Sequence, residues 1–344
     1  MKRTAFLLFL LASSAIFLSS CFDNTFQKRN ITGKAGEMII VIPKEAWSGA
    51  PGTVLRKILN QPQLGLPQEE PIFSLIDVPP AAFNDIFRTT RNIITVRISS
   101  TIDEPVAEYK NDVWAHPQAV VNINAKSQEE FEKLFLENSD KIVAFFLKAE
   151  KDRLMGNYKQ YSDKVVYNTL LKSFNLKMNV PPGFKVVKKT DDFAWLRYET
   201  TEISQWIFIY TYKYESDSTF TPDFQLAKRD EYLKKYVPGP RDSTYMTTER
   251  QIIPLFNIFE HNGNHASEMR GLWRVENDFM GGPFISIAEL DASNNRIVTV
   301  EGSVYAPRFD KRNYLRQVEA IVYSMEFPDQ AKNDKIMSEI KSGN

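Results

Sequence analysis

The sequence predicts an α+β fold, built mainly from antiparallel sheets with flanking helices and divided into two α+β subdomains. Short runs rich in β-branched and aromatic residues occur in groups, which is typical of sheet. Stretches with apolar residues at helical spacing separate these groups, without the steady alternation of strand and helix that a parallel sheet requires. The clearest break in the chain, Pro181-Pro182-Gly183, lies between two such regions.

The first residues have the pattern of a bacterial lipoprotein signal peptide. Lys2 and Arg3 give a positive start, and an apolar run of about fourteen residues follows, too short for a comfortable membrane span. The run ends in Leu18-Ser19-Ser20-Cys21, which resembles the lipobox, where the cysteine receives a diacylglycerol and the preceding peptide is removed. We therefore expect lipidation at Cys21; the alternative is an uncleaved anchor helix with an incidental cysteine.

The composition agrees with an exported, folded protein that does not bind nucleic acid. Cys21 is the only cysteine, so no disulfide stabilises the body, and a chain of this size can bury a sufficient core without one. The 43 Lys and Arg residues equal the 43 Asp and Glu residues, so the overall charge gives no argument for nucleic acid or for a bulk polybasic membrane contact.

The predicted organisation places a signal peptide at residues 1–20, a flexible tether at 21–35 and the first subdomain at 36–178. Its strands are predicted from short apolar runs at Glu37–Ile42, Ile72–Val78, Asn92–Ile98, Val106–Ala115 and Gln118–Asn124. Pro51 is typical of a first helical position, and apolar residues follow it at helical spacing. Ser127 and Glu130 form a capping-box pattern, which begins a mostly helical stretch over 127–175.

The second subdomain is predicted over residues 179–327, followed by a polar tail at 328–344. Its strands are expected near 184–189, 193–199, 205–213, 245–260, 266–276, 283–290 and 296–304, with a helix near 223–235. Asn262-Gly263 predicts a hairpin turn, and so does Asn294-Asn295. A final helix over about Asp310–Ser324 carries its apolar residues on one face.

Two stretches of the second half resemble a known family. These are MGGPFIS, at Met280–Ser286, and the segment Asn294–Phe327. With the lipobox, they resemble predicted lipoproteins of Bacteroidota that are catalogued only as a domain of unknown function (DUF4837-like), over nearly the whole mature chain. The resemblance implies an envelope lipoprotein and supplies no activity, substrate or catalytic residue. In that group an acidic run after the cysteine accompanies surface export; here only Asp23 is close, which favours the periplasmic face of the outer membrane.

His261 and His265 are the candidate metal ligands. Neutral imidazoles with nearby carboxylates, here Glu260 and Glu268, are typical zinc ligands. A three-residue Asn-Gly-Asn loop would place the two imidazoles opposite each other across a hairpin, whereas a two-residue Asn-Gly turn would pair His261 with Asn264 and separate them. Both alternatives are open from the sequence.

A second candidate site is a group of cations at the start of the last predicted helix: Arg308, Lys311, Arg312 and Arg316. Asp310 is a normal N-cap, but cations within the first turn of a helix are unusual because the helix dipole is positive there. The group predicts a cradle for an anion, such as a phosphate, a glycan carboxylate or an acidic face of a partner. The alternative is a solvated face on which Arg316 pairs with Glu319.

No catalytic motif supports an enzyme. The chain has no G-x-S-x-G elbow, P-loop or dinucleotide fingerprint, and its adjacent acidic pairs point away from each other. We therefore predict a lipid-anchored envelope protein without a cofactor, which binds or scaffolds an envelope protein or a cell-wall glycan. Two alternatives stay open: a lipid-anchored hydrolase of envelope glycans with distant carboxylates brought together by the fold, and a small-ligand or metal-binding lipoprotein.

Overall fold

The structure, a computed structural model, describes residues 28–328. The predicted signal peptide, Cys21 and residues 329–344 of the predicted tail lie outside the described residues. The last residues of the predicted tether already pack on the body. Strand β1 (Arg29–Asn30) pairs in parallel with β6 (Ala115–His116), and the Thr32 amide donates to the carbonyl of Thr89 at 2.8 Å. Residues 29–32 of the predicted tether therefore contact the body.

A mostly parallel sheet forms the first half of the described chain. Its five strands lie in the order β3 (Ser74–Val78), β2 (Glu37–Val41), β4 (Asn92–Ile98), β7 (Ala119–Ala125) and β5 (Val106–Asn111). The first four are parallel, and β5 is antiparallel to β7. The continuous apolar run of β2 explains why this strand lies in the interior of the sheet. Met38 and Ile40 pack into the core on one face, and Ile39 and Val41 pack on the other, as a sheet covered on both faces requires.

Four helices cover one face of this sheet: α1 (Lys44–Ser48), α2 (Ala50–Leu59), α4 (Gln128–Glu137) and α5 (Ser139–Gln160). Ser127 caps α4 as its sequence predicts, since its Oγ accepts from the Glu130 amide at 3.3 Å. The Glu130 carboxylate reaches back to the amide of Lys126, at 2.9 Å, one residue before the position that a capping box uses. The other face is covered by the segment that contains α3 (Asp85–Arg88), through Phe83 and Phe87.

The second sheet has eight strands, and all of its pairs are antiparallel. The strands are β8 (Lys185–Lys189), β9 (Phe193–Glu199), β10 (Ser204–Lys213), β11 (Met246–Thr248), β12 (Leu255–His261), β13 (Asn264–Val275), β14 (Gly281–Asp291) and β15 (Arg296–Tyr305). They lie in the order β11-β13-β14-β15-β10-β9-β8, and β12 also pairs with β13. Asn262 and Gly263 both have positive φ and form the β12–β13 turn, which is the type that Asn-Gly favours.

Each face of the second sheet has its own core. Helices α6 (Lys164–Phe174) and α8 (Arg312–Val322) cover an aliphatic face. Helix α7 (Pro222–Tyr236) covers an aromatic face that contains Trp206, Phe208 and Trp273. As the apolar spacing predicts, α8 buries Leu315, Val318, Ile321 and Val322.

The predicted α+β class is confirmed: residues 28–328 contain eight α-helices and fifteen strands, with 33% of residues in helix and 36% in strand. Antiparallel pairs predominate, but the parallel pairing of the first sheet was not predicted. The connection from β3 to β4 contains only α3 and a short 3₁₀ turn, so the alternation of strand and helix is too irregular to see in the sequence. Within the same range, no helix is both long and apolar enough to cross a membrane.

Candidate functional site: a charged cleft between two helices

A cleft of about 670 Å³ lies between α5 of the first half and α8 of the second half. The loop after α2 forms one side of it. The apolar part of the wall comes from Pro62, Leu64, Ile72, Val143 and Leu147, and the charged part includes Glu150, Lys151, Arg270, Arg316 and Glu319. Its volume is within the range of small-molecule sites.

Arg270 organises one side of the cleft. Its guanidinium makes two hydrogen bonds to Glu319, at 2.9 and 3.2 Å, and two more to Glu268, at 2.7 and 2.9 Å. Burial favours the neutral form of each group, but the opposite charges outweigh it. The pKa of Arg270 is therefore raised well above its usual value, and the pKa of Glu319 is lowered. Both groups stay charged at neutral pH.

Lys151 and Tyr323 complete this arrangement. The Lys151 ammonium lies 3.7 Å from Glu319 and 3.6 Å from the centre of the Tyr323 ring. The Tyr323 hydroxyl donates to Glu268, and burial with this nearby carboxylate raises the pKa of Tyr323. The phenol is therefore a hydrogen-bond donor and not a base.

Glu150 occupies the other side of the cleft and is 2% exposed. Its Oε1 accepts from Asn92 at 2.7 Å and from Arg153 at 2.9 Å, and it lies 3.0 Å from Arg91 Nε. Burial lowers the pKa of Arg153 to about 10, which still leaves its guanidinium charged. Through this oxygen, Glu150 joins α5 to the start of β4.

The predicted cation cluster does not form an open anion cradle. Helix α8 begins at Arg312, and no Asp310 cap is present. Instead, Glu70 of the first half accepts from the amides of Lys311 and Arg312, at 2.6 and 2.8 Å. These two amides at the helix N-terminus are therefore already bound to a carboxylate of the protein itself.

Arg312 and Arg316 are each only 8% exposed and point into the first half. Arg312 donates to the carbonyl of Pro71 at 2.6 Å, and Arg316 donates to that of Ile72 at 2.7 Å. Burial, together with the like charge of Arg312, lowers the pKa of Arg316 to about 10. The alternative, a solvated face with an Arg316–Glu319 pair, is not found among residues 28–328 either, because Glu319 binds Arg270.

Gly36 allows the two guanidiniums to approach the first half. A side chain there would come within 2.8 Å of Arg312 and 3.1 Å of Arg316, and the φ of Gly36 is +75°. The other members of the cluster differ from this pair. Lys311 is buried and donates to Gln68 at 2.9 Å, whereas Arg308 is exposed.

The predicted metal site is not formed. The turn has two residues, so His261 pairs with Asn264 and Glu260 pairs with His265, which places the histidines on opposite faces of the sheet. His261 contacts Glu289 at 2.6 Å and the carbonyl of Tyr323 at 3.2 Å. His265 is exposed and lies edge-on to Phe220, with ring centres 4.4 Å apart. Among residues 28–328, no three potential ligands converge on a metal position.

The sequence did not indicate Arg270, Lys151 or Glu150 as site residues. They lie on β13 and α5, far apart in the chain, and no local spacing links them. One signal could have indicated Arg270. It lies within a predicted strand, and a charged residue on the buried face of a strand requires a partner of opposite charge.

Two family models match consecutive parts of the chain, and both are described as domains of unknown function. Residues 31–159 match DUF8532, and residues 163–324 match DUF4837. The expected relation to a domain of unknown function is confirmed, but the DUF4837 match covers only the second half and not nearly the whole mature chain. No curated protein matches the chain significantly.

Some solved structures share a distant likeness. The Ran-binding protein Mog1p of Saccharomyces cerevisiae is 8% identical, with 44% of this chain and 90% of that chain covered and a TM-score of 0.31. LpqN of Mycobacterium tuberculosis, involved in cell envelope biogenesis, is 11% identical, with 43% and 79% covered and a TM-score of 0.26. At these scores the likeness carries no argument about function.

Proposed function

We propose that this chain is an envelope lipoprotein of the Bacteroidota type, anchored through Cys21 at the periplasmic face of the outer membrane, and that its cleft binds a ligand or a segment of a partner. The lipobox at Leu18–Cys21 supports the anchor. The cleft between α5 and α8 is the single observation that supports the binding role.

The state of the carboxylates favours binding over hydrolysis. A glycosidase needs one carboxylic acid with a raised pKa and a second free carboxylate. In the cleft, Glu150 is held by Asn92 and Arg153, and the pKa of Glu319 is lowered beside Arg270. Asp152 pairs with Lys148 at 2.6 Å. Each carboxylate of the cleft therefore already neutralises a cation.

The wall of the cleft indicates the chemistry of its occupant. Leu64 and Leu147 offer an apolar surface, and Leu64 is 63% exposed. Lys148 and Lys151 lie on the α5 side of the same cleft. An occupant with an apolar part and an acidic or hydrogen-bond-accepting group would match both the leucines and the lysines. A peptide segment and an acyl compound are two such occupants.

Site-specific photocrosslinking in intact cells tests this role. A photoreactive phenylalanine analogue replaces Leu64 in the cleft or, as the matched control, Leu136, which is 48% exposed on α4 and lies outside the cleft. We expect a discrete adduct from position 64 and none from position 136. Ala144→Trp, which fills the cleft from an exposed position, should abolish the adduct. No adduct at 64, or the same adducts at both positions, would contradict the proposed role of the cleft.

A further inference from the structure

The described chain enters the body at one end of the first sheet. Lys28 is followed by β1, which pairs with Ala115–His116, and the Ile31 amide donates to the carbonyl of His116 at 3.2 Å. These contacts fix the direction from which any preceding segment must approach.

The covalent reach from this entry point is short. Seven residue steps separate Cys21 from Lys28, and a fully extended chain spans about 25 Å over that number of steps. A lipid on Cys21 would therefore hold this end of the first sheet within about 25 Å of the membrane surface. This step rests on the proposed anchor.

The surface beside the entry point has an unusual composition. The segment Pro79–Ile86 contains one charged residue, and most of its side chains are exposed: Pro79, Pro80, Ala81, Ala82, Asn84, Asp85 and Ile86. Ile86 is 78% exposed although it is large and aliphatic. It lies on α3, which contacts the entering chain through the ion pair of Arg29 with Asp85 at 3.6 Å.

Cations surround this apolar segment. The side chains of Arg29 and Arg88 are 67% and 44% exposed, and both pair with Asp85, at 3.6 and 3.2 Å. Lys28 is close by and donates to the carbonyl of Asp112. Arg29 and Arg88 thus face the carboxylate of Asp85, and Lys28 lies beside Asp112. Three cations against these two carboxylates leave a small excess of positive charge around the exposed apolar groups.

We infer that this face, formed by Pro79–Ile86 with Lys28, Arg29 and Arg88, docks on an anionic lipid surface and inserts Ile86 at the boundary between headgroups and acyl chains. Apolar residues within a basic border are the combination that binds such a surface. A lone exposed isoleucine is ordinary. Here the exposed apolar segment lies beside Lys28, at the end of the first sheet that the proposed anchor holds close to the membrane.

Fluorescence of the acylated protein in vesicles tests this contact. Because lipidation converts the only native thiol to a thioether, Ile86→Cys introduces a single reactive thiol for the environment-sensitive dye NBD. The control is Val106→Cys: Val106 is 40% exposed and pairs with Asn124, at the opposite end of β7 from the entry point. The vesicles contain phosphatidylethanolamine and phosphatidylglycerol, with or without a lipid that carries a doxyl quencher.

We expect blue-shifted emission and strong quenching for the dye at position 86, and neither for the dye at position 106. In addition, Ile86→Asp should weaken the vesicle binding of the non-acylated protein by about fivefold, and Val106→Asp should not. Equal emission at both positions in acylated protein would overturn the inference and leave the anchor intact. An intact mass that shows no acylation would instead overturn the proposed anchor and this inference with it.

Discussion

The carboxylate of Glu70 accepts a hydrogen bond at 2.8 Å from the backbone amide of Arg312, a residue 242 positions further along the chain. The same carboxylate accepts from the Lys311 amide at 2.6 Å. Helix caps usually come from the residue that begins the helix. Here the cap of α8 comes from the other half of the molecule, so the stability of this helix depends on the interface between the halves.

Replacing Glu70 should therefore destabilise the protein through the interface. We expect Glu70→Ala to lower the free energy of unfolding by about 2 kcal/mol, because two buried amides lose a charged acceptor. Glu69→Ala is the control, since Glu69 is exposed, and should change it by less than about 0.5 kcal/mol. Urea unfolding followed by circular dichroism measures both. Equal effects of the two variants would contradict the proposed cap.

Arg270→Met should be among the most destabilising single changes in the cleft. It leaves the carboxylates of Glu268 and Glu319, whose side chains are 16% and 15% exposed, without their main cation, at a cost of about 3 kcal/mol. Arg274 is a matched control on the same strand, because it is 38% exposed and pairs with Glu276 at 2.6 Å. Arg274→Met should cost about 1 kcal/mol or less. Thermal or urea unfolding of both variants measures the difference. A small effect of Arg270→Met would show that the ion pairs of Arg270 with Glu268 and Glu319 contribute little to stability.

Acid should remove the contribution of Glu319. Its folded pKa is lowered relative to the value of about 4.3 for a free glutamate, so the folded state binds fewer protons than the unfolded state. The stabilisation is therefore complete above about pH 4.3 and is lost as the pH falls through the lower folded pKa. Unfolding free energies measured between pH 7 and pH 3 should fall less steeply for Glu319→Gln than for the wild type. Parallel curves would contradict the assignment.

The two histidines should differ in their structural importance. His261 is 7% exposed and contacts Glu289, which is wholly buried, so His261→Ala should cost about 2–3 kcal/mol. His265 is exposed, so His265→Ala should cost about 1 kcal/mol or less. Thermal unfolding distinguishes them, and a strong stabilisation of the wild type by zinc would revive the metal hypothesis.

Cys21→Ser tests the anchor directly. The variant should lose incorporation of a labelled fatty acid and should move from the detergent phase to the aqueous phase in Triton X-114 partitioning, because the thiol is the site of acylation. Asn24→Ser serves as a nearby control and should keep both properties. A Cys21→Ser protein that still partitions fully into detergent would show that the anchor prediction is wrong.

The sequence predicted those features that depend on neighbours in the chain. The N-cap at Ser127, the Asn-Gly turn and the apolar face of α8 all involve residues within a few positions of one another, and the structure contains all three. Local patterns also indicated that the start of α8 is suited to an anion.

The features that the sequence missed depend on distant pairs. Nothing near Arg312 indicates that its anion is Glu70, and nothing near Glu319 indicates that it binds Arg270 and not Arg316. The parallel order of the first sheet is of the same kind, since it depends on which strands meet and not on how each strand is composed. For the histidines, the pattern allowed two turn lengths, and one residue of difference decides which face each imidazole occupies.

Helix α8 packs its apolar side on the second sheet, while Arg312 and Arg316 donate to carbonyls of the first half. Neither half can unfold without exposing one side of this helix. The chain should therefore melt in a single cooperative transition, with equal calorimetric and van't Hoff enthalpies, although two separate family models divide it between residues 159 and 163. The halves should thus behave as one thermodynamic unit, and neither should persist alone when a protease removes the other.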